Sequence, residues 1–383
     1  MNKNLFIKST LILILSGFLT KILGFIIKVI YTRIIGEYGI SLFAIATPTY
    51  SLLLTISTLA IPISISKLVS ENKGRSIRIL TSATFLILSI NFLLILLILL
   101  TKDFIAINLL KEPLASPILL AFSLTLPFVS ISSVLKGYFA GKQNMIPHAT
   151  SNIIEQIIRL IIIITVLPIL MKNSVMHAVL GLILLTILSE ISSIIVFLFF
   201  LPKHINYKTK LLPSKKHTKD ILDISLPTVS SRIIGNIGYF LEPIILTNLL
   251  LFSGYTNSYI LREYGAYNAY SLALLTMPGF FIAAISTSLL PEISKFHGEK
   301  NNIMVKRRIH QALIFSLIIG TFFSFIIFTF RDNLLFSLYN TTNGSNYIKI
   351  LSPFFVLFYL EGVLTSALQA LGYAKITMNI TLW

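Results

Sequence analysis

Between Ser16 and Arg33 the sequence reads SGFLTKILGFIIKVIYTR, apolar enough for lipid yet carrying cations. Gly17, Lys21, Gly24 and Lys28 follow the i, i+4, i+7, i+11 spacing, so two ammonium groups and two glycines share one helical face. A lysine near the middle of a span costs roughly 2.5–3.5 kcal/mol on insertion scales, and such residues face a bundle interior or a watery cavity. The chemistry this face offers is attraction of an anion. Lys28 lies nearer the end of the span, where a long side chain can snorkel to the surface.

Further charges stand inside apolar stretches. Asn152, Glu155, Gln156 and Arg159 fall on one helical face, with Glu155 and Arg159 at i, i+4, spaced to pair and so to lower the cost of burying both. Two readings stay open for them, a structural pair gluing helices and a lining of a cavity. Thr228, Ser231, Gly235, Tyr239 and Glu242 form another stripe, with Arg232 beside it. Glu190, among Ser189, Ser192 and Ser193, and Glu361, beside Gly362, are further embedded acids. The cations Lys21, Lys28, Arg159 and Arg232 are therefore expected to bind substrate. The acids Glu155, Glu190, Glu242 and Glu361 are expected either to couple an ion or to pack helices.

Enzyme chemistry has no counterpart in the sequence. It contains no P-loop and no G-x-G-x-x-G, its six histidines lack metal-ligand spacing, and it has no cysteine for a thiolate ligand or nucleophile. The expectation is a protein that is not an enzyme, without cofactor or metal.

The elements that must position these residues are membrane spans. The 383 residues are 55% hydrophobic and 12% charged, with a mean hydropathy of +0.87. Apolar runs of about 20 residues predict ten helices, near 8–32, 39–63, 79–100, 114–135, 146–170, 177–201, 221–251, 264–290, 309–330 and 350–371. The apolar run after Lys3 and Lys8 continues past a signal-peptide core without a cleavage site and is read as the first span. Leu135 to Met145, with Gly137 and Gly141, is expected to be a tight basic turn between spans four and five.

A net charge of +17 raises the question of nucleic acid, and the placement of the 31 Lys and Arg answers it. With the N-terminus cytoplasmic, twenty fall in tails and loops on that side, seven on the other and four within spans. This is the positive-inside pattern, which predicts a multi-pass protein of the cytoplasmic membrane with its N-terminus inside. The basic surplus is read as topogenic and drawn to anionic lipid, with membrane lipids as partners and no nucleic acid. Nothing in the sequence sets an oligomeric state.

An internal repeat organises the chain. Thr20-Lys21-Ile22-Leu23-Gly24 matches Ser231-Arg232-Ile233-Ile234-Gly235, Tyr38-Gly39 matches Tyr264-Gly265, Ile65-Ser66-Lys67 matches Ile293-Ser294-Lys295, and Pro127-Phe128 matches Pro353-Phe354, in order and at offsets of 211 to 228. Six helices separate the equivalents, so both copies share one orientation, as in parallel-repeat transporters with the substrate site between halves. The reading is an all-α helix bundle with an N-terminal six-helix lobe at 1–201, a basic linker at 202–219 and a C-terminal lobe at 220–383. That second lobe holds four complete helices and the start of a fifth, apparently truncated as a fragment, split gene or short reading frame. The repeat pairs Lys21 with Arg232 across the axis, which narrows the substrate-site expectation to those two.

Lys136-Gly137-Tyr138-Phe139-Ala140-Gly141-Lys142-Gln143-Asn144-Met145, followed by Ile154-Glu155-Gln156-Ile157-Ile158-Arg159, resembles the span-four to span-five signature of the stage V sporulation protein B family. Thr20 to Phe25, Gly36-Glu37-Tyr38-Gly39 and Ile61 to Val69 are similar to that family's first two spans. The resemblance implies the MOP exporter superfamily, with MATE antiporters, oligosaccharide-lipid flippases and MurJ-type lipid II flippases. It further implies 12 to 14 helices in two lobes around a cavity that opens alternately to each side. The implied cargo is a polyprenyl-diphosphate-linked saccharide, a lipid-linked anionic precursor of cell wall or polysaccharide. Family members commonly carry Arg where this chain has Lys21 and Lys136, and lysine gives up the bidentate grip on phosphate. MurJ-type proteins carry a further arginine near the positions of Leu52 and Leu53. Two alternatives remain, a cation-coupled multidrug antiporter of the same fold and a non-transporting scaffold in envelope or spore assembly.

Overall fold

The computed structural model describes residues 3–71, 76–201 and 213–373 together with 376 and 380, without the side chains of residues 3–14, 231 and 291. Most of the expected 202–219 linker, and the start of a helix beyond Gly372, lie outside the described residues. Those residues form helices α1 (Lys3–Thr58), α2 (Ile61–Glu71), α3 (Ser76–Phe104), α4 (Ala115–Gly141), α5 (Ile146–Asn173), α6 (Val175–Phe200) and α7 (Lys215–Phe252). They continue as α8 (Asn257–Gly265), α9 (Leu272–Thr276), α10 (Gly279–Gly298), α11 (Asn302–Tyr339) and α12 (Ser345–Ala370), with no strand among the described residues. Short π-helical turns at Ile105–Leu109 and Ala266–Ser271 extend α3 and join α8 to α9.

Among the described residues, eight helical stretches are long and apolar enough to cross a membrane, and the bent pair Asn257–Thr276 with Gly279–Gly298 makes a ninth. The first of these, Leu15–Glu71, is 57 residues long, far beyond the ~20 residues a single crossing needs. Gly36 divides it, with φ 74° and ψ −179°, a conformation open essentially to glycine alone. The chain reverses there: the rings of Tyr31 and Phe43 lie 6.0 Å apart, where an unbroken helix would separate twelve residues by about 18 Å. Each of the ten apolar stretches read from the sequence thus falls on helix.

Contacts group the chain into two units, Met1–Arg262 and Glu263–Trp383. In the first, a second break at Leu59 and Ala60, both with positive φ, separates α1 from α2 just before Pro62. α4 runs further than expected, through Lys136 to Gly141, leaving only Lys142–Met145 as turn. The reason is packing. A Cβ on Gly137 would lie 2.6 Å from Pro62 Cα and one on Gly141 would lie 2.7 Å from the Ser66 carbonyl oxygen, so α4 and α2 meet backbone to backbone. This is the small-xxx-small contact common between membrane helices. Asn91, the one strongly polar residue deep in α3, is buried and bonded to Ser57 of α1, which in turn touches Ser130 of α4.

The second unit packs α10, α11 and α12 around Tyr359, whose hydroxyl donates to the Leu275 carbonyl. Gly320 of α11 leaves room for the Tyr359 ring. Ser271 closes the π turn by donating to the carbonyls of Ala266 and Gly344, at 2.8 and 2.9 Å.

Candidate functional site

The embedded charges of the first unit converge. On α5, Arg159 Nη2 donates to Glu155 Oε1 at 2.9 Å, one helical turn back, and its Nε donates to Ser189 Oγ of α6 at 3.1 Å. The same Nη2 is 3.6 Å from Glu190 Oε1 of α6, and Lys136 Nζ of α4 is 3.6 Å from Glu155 Oε2. Glu155 and Glu190 are 5% and 6% exposed, so the carboxylates are buried while the cations remain partly open. Glu190 Oε2 accepts no hydrogen bond among the described residues.

Local sequence explains why these side chains meet. Pro147 stands in the first turn of α5, where its missing N–H costs nothing, and starts the helix two turns before Glu155. Ser174 separates α5 from α6 and caps α6 by accepting the His177 N–H at 3.1 Å. A one-residue connection of this kind forces α5 and α6 to lie side by side, and it brings Ser189 and Glu190 to Arg159. The glycine contact with α2 holds the last turns of α4, and so Lys136, against the same cluster.

A cavity of about 460 Å³ opens beside the cluster, lined among others by Lys28, Tyr31 and Tyr50 of α1, Gln156 and Arg159 of α5, and Glu190. The Tyr50 ring stacks on Phe122 at 4.3 Å, giving that wall a rigid aromatic face. A second pocket of about 340 Å³ is lined by Lys136, Glu190 and Arg232, with Thr58 and Ala60 at the α1–α2 break. Glu190 is the charged residue lining both. With both acids ionised, Lys28, Lys136, Arg159 and Arg232 leave the two pockets with an excess of two positive charges. Cations set against low-dielectric protein walls attract an anion more strongly than in bulk water.

The sequence-based set is distributed as follows. Lys28 and Arg159 line the larger cavity together with Glu155 and Glu190, and Arg232 lines the smaller pocket. Lys21 is exposed and lines neither, and Glu242 is half-buried on α7 and lines neither. Glu361 is exposed on α12, in the second unit. Lys136 was assigned to a turn by the sequence and joins the cluster only because α4 continues through it. The signal was present in the Gly137-x-x-x-Gly141 spacing, which marks a packed helix as readily as a turn.

A sequence profile of polysaccharide biosynthesis proteins matches residues 6–297. The chain belongs to that family. A MatE profile matches residues 243–383. Among relatives, stage V sporulation protein B of Bacillus subtilis (strain 168) is 34% identical over 99% of this chain and 75% of its own length. Lipid II flippase MurJ of the same organism is 26% identical over 43% of this chain and 33% of its own. The fold is similar to that of a multidrug resistance MATE family transporter of the MOP superfamily solved in its inward-facing conformation. The TM-score is 0.75 at 14% identity, over 94% of this chain and 83% of that one. This polysaccharide biosynthesis family member is therefore an all-α, multi-pass membrane protein with a MATE-like fold.

Proposed function

We propose that the chain moves a polyprenyl-diphosphate-linked saccharide, a precursor of cell wall or polysaccharide, across the cytoplasmic membrane by alternating access. The observation that carries this reading is the cavity bounded by Lys28 and Arg159, with Lys136 and Arg232 in the adjoining pocket, where cations outnumber acids. The diphosphate head group sits against these cations, and the prenyl tail stays in lipid. Similarity to a lipid II flippase over part of the chain supports a cargo of that class. The strong asymmetry of Lys and Arg along the chain supports an N-terminus on the cytoplasmic side. Two lobes related by the parallel repeat, at 1–201 and 220–383, would alternate around the cargo, with Lys21 and Arg232 as repeat-related cations. The fold likeness to a multidrug MATE transporter, together with the buried Glu190, favours the cation-coupled antiporter as the second reading.

The test is reconstitution of the chain in proteoliposomes, scoring movement of a lipid-linked diphosphate sugar and efflux of a cationic dye. Lipid movement that falls at least tenfold in both Lys28→Gln and Arg232→Gln supports the reading. Unchanged movement in both variants removes these cations from the path. Dye efflux without lipid movement turns the assignment to the antiporter.

A further inference from the structure

Glu190 is a buried carboxylate whose Oε1 lies near a guanidinium it shares with Glu155, while its Oε2 accepts no hydrogen bond among the described residues. It lines both pockets, between Lys28 and Arg159 on one side and Lys136 and Arg232 on the other. The charged and titratable groups around it come from every helix packed there. They are Glu155 and Arg159 from α5, Lys136 from α4, Lys28, Tyr31 and Tyr50 from α1, and Arg232 from α7; Ser132 of α4 also stands beside its carboxyl.

An oxyanion drawn to Lys28 and Arg159 meets the charge of Glu190 at the same wall, and it competes with that carboxylate for the guanidinium. A proton on Glu190 removes one negative charge from the path and releases a face of Arg159 for the anion. We infer that the first unit binds a phosphate-type oxyanion together with one proton on Glu190, so that anionic group and proton occupy the cavity as a pair. This deepens the flippase reading and rests on its claim that the cargo is anionic.

The experiment uses the full chain in detergent and sulfate as probe, an oxyanion that does not itself titrate between about pH 5 and 8. Isothermal titration in two buffers of different ionisation enthalpy counts the protons taken up. The expected result is about one proton per sulfate, with affinity rising ~tenfold for each pH unit lowered above the group's titration. Glu190→Gln is expected to bind sulfate without proton uptake and with no pH dependence, and Lys28→Gln to bind it at least tenfold more weakly. Absence of sulfate binding, binding without proton uptake, or uptake that persists in Glu190→Gln overturns the inference. The wild-type proton count decides the matter even if the variant fails to fold. Competition separates the sources: displacement at lower concentration by a polyprenyl diphosphate than by inorganic diphosphate supports a lipid head group as the paired anion, and the reverse order supports a free oxyanion. Proton-linked sulfate binding in a chain that flips no lipid-linked sugar leaves the inference standing and removes the flippase reading. Flipping with proton-independent sulfate binding does the opposite.

Discussion

Arg159 Nη2 lies 3.6 Å from Glu190 Oε1 on the neighbouring helix while it donates to Glu155 Oε1 at 2.9 Å on its own helix. One guanidinium therefore serves two buried carboxylates, and Lys136 pairs with Glu155 while its charge also acts on Glu190. The group left with the weakest hold is Glu190, and it is the one that faces both pockets. Helix packing and cavity chemistry are built here from the same four side chains.

Removing Arg159 tests the packing half of that statement. Arg159→Met leaves Glu155 to Lys136 at 3.6 Å and Glu190 without an ion-pair partner among the described residues. Breaking a buried pair from one side typically costs about 3–5 kcal/mol, because the remaining charge stays buried. Thermal unfolding in detergent is expected to show a large fall for this variant. The double change Arg159→Met with Glu190→Gln is expected to recover a substantial part of it, since Glu155 keeps Lys136 and no carboxylate of the cluster is left without an ion-pair partner. A double variant no better than Arg159→Met indicates that the Arg159–Glu190 contact contributes little.

Two glycines of α1 are expected to respond in opposite ways. At Gly36, with φ 74° and ψ −179°, any side chain is strained, so Gly36→Ala is expected to lose about 1–3 kcal/mol. At Gly17 the backbone is helical and nothing lies within 4 Å of an added Cβ, so Gly17→Ala is expected to be neutral or to gain up to about 1 kcal/mol from helix propensity. The two melting temperatures, measured side by side, report whether the reversal at Gly36 supports the fold of the first unit. Equal effects argue against it.

The sequence carried most of the helix plan, because the membrane demands a run of apolar residues at every crossing, and the first two runs, near 8–32 and 39–63, part at the stretch that holds Gly36. It also carried the Glu155–Arg159 pair, since i, i+4 spacing brings two residues together whatever surrounds the helix. What it did not carry was the third dimension. Periodicity puts Lys21 and Lys28 on one face, but it does not say which turn of that face meets the cavity; contact with α5 and α6 selects Lys28 and leaves Lys21 exposed. Ser189 and Glu190 were visible only as a polar cluster on α6, because their partner Arg159 is 30 residues away in sequence. Lys136 was hidden by its neighbours. Two glycines and a basic residue suit a turn equally well until α2 is seen lying against Gly137 and Gly141.

That glycine contact gives a prediction of its own. A methyl at Gly137 would meet Pro62 Cα at 2.6 Å and the Pro62 carbonyl oxygen at 2.7 Å, both backbone atoms that cannot swing aside. Gly137→Ala is therefore expected to part α4 from α2 at a cost of about 1–3 kcal/mol, the usual penalty of overpacking. It also draws Lys136 away from Glu155, so transport is expected to fall along with stability. The melting temperature and the lipid-movement assay measured on one preparation check both effects. A melting temperature equal to that of the unmodified chain shows that α2 yields freely at Pro62.

Glu112 gives a pH dependence outside the spans. It lies between the π turn and α4, buried, with the Leu114 N–H donating to Oε1 and Asn257 Nδ2 donating to Oε2, each at 3.3 Å. Burial pushes its carboxyl above the usual range, and the Leu114 N–H offsets only part of that. A carboxyl raised in the folded state binds its proton more tightly folded than unfolded, so its contribution to stability is fullest below the ordinary unfolded value of about 4.3. The contribution is lost as pH climbs from there through the raised folded value. Glu112→Gln stays neutral at every pH and keeps an acceptor for Leu114, so its stability is expected to gain on the wild type as pH rises and to exceed it at neutrality. Melting temperatures of both proteins in detergent, followed from acid to neutral pH, measure the difference. A wild type that gains on the variant as pH rises shows that the Leu114 and Asn257 hydrogen bonds to the carboxylate outweigh its burial.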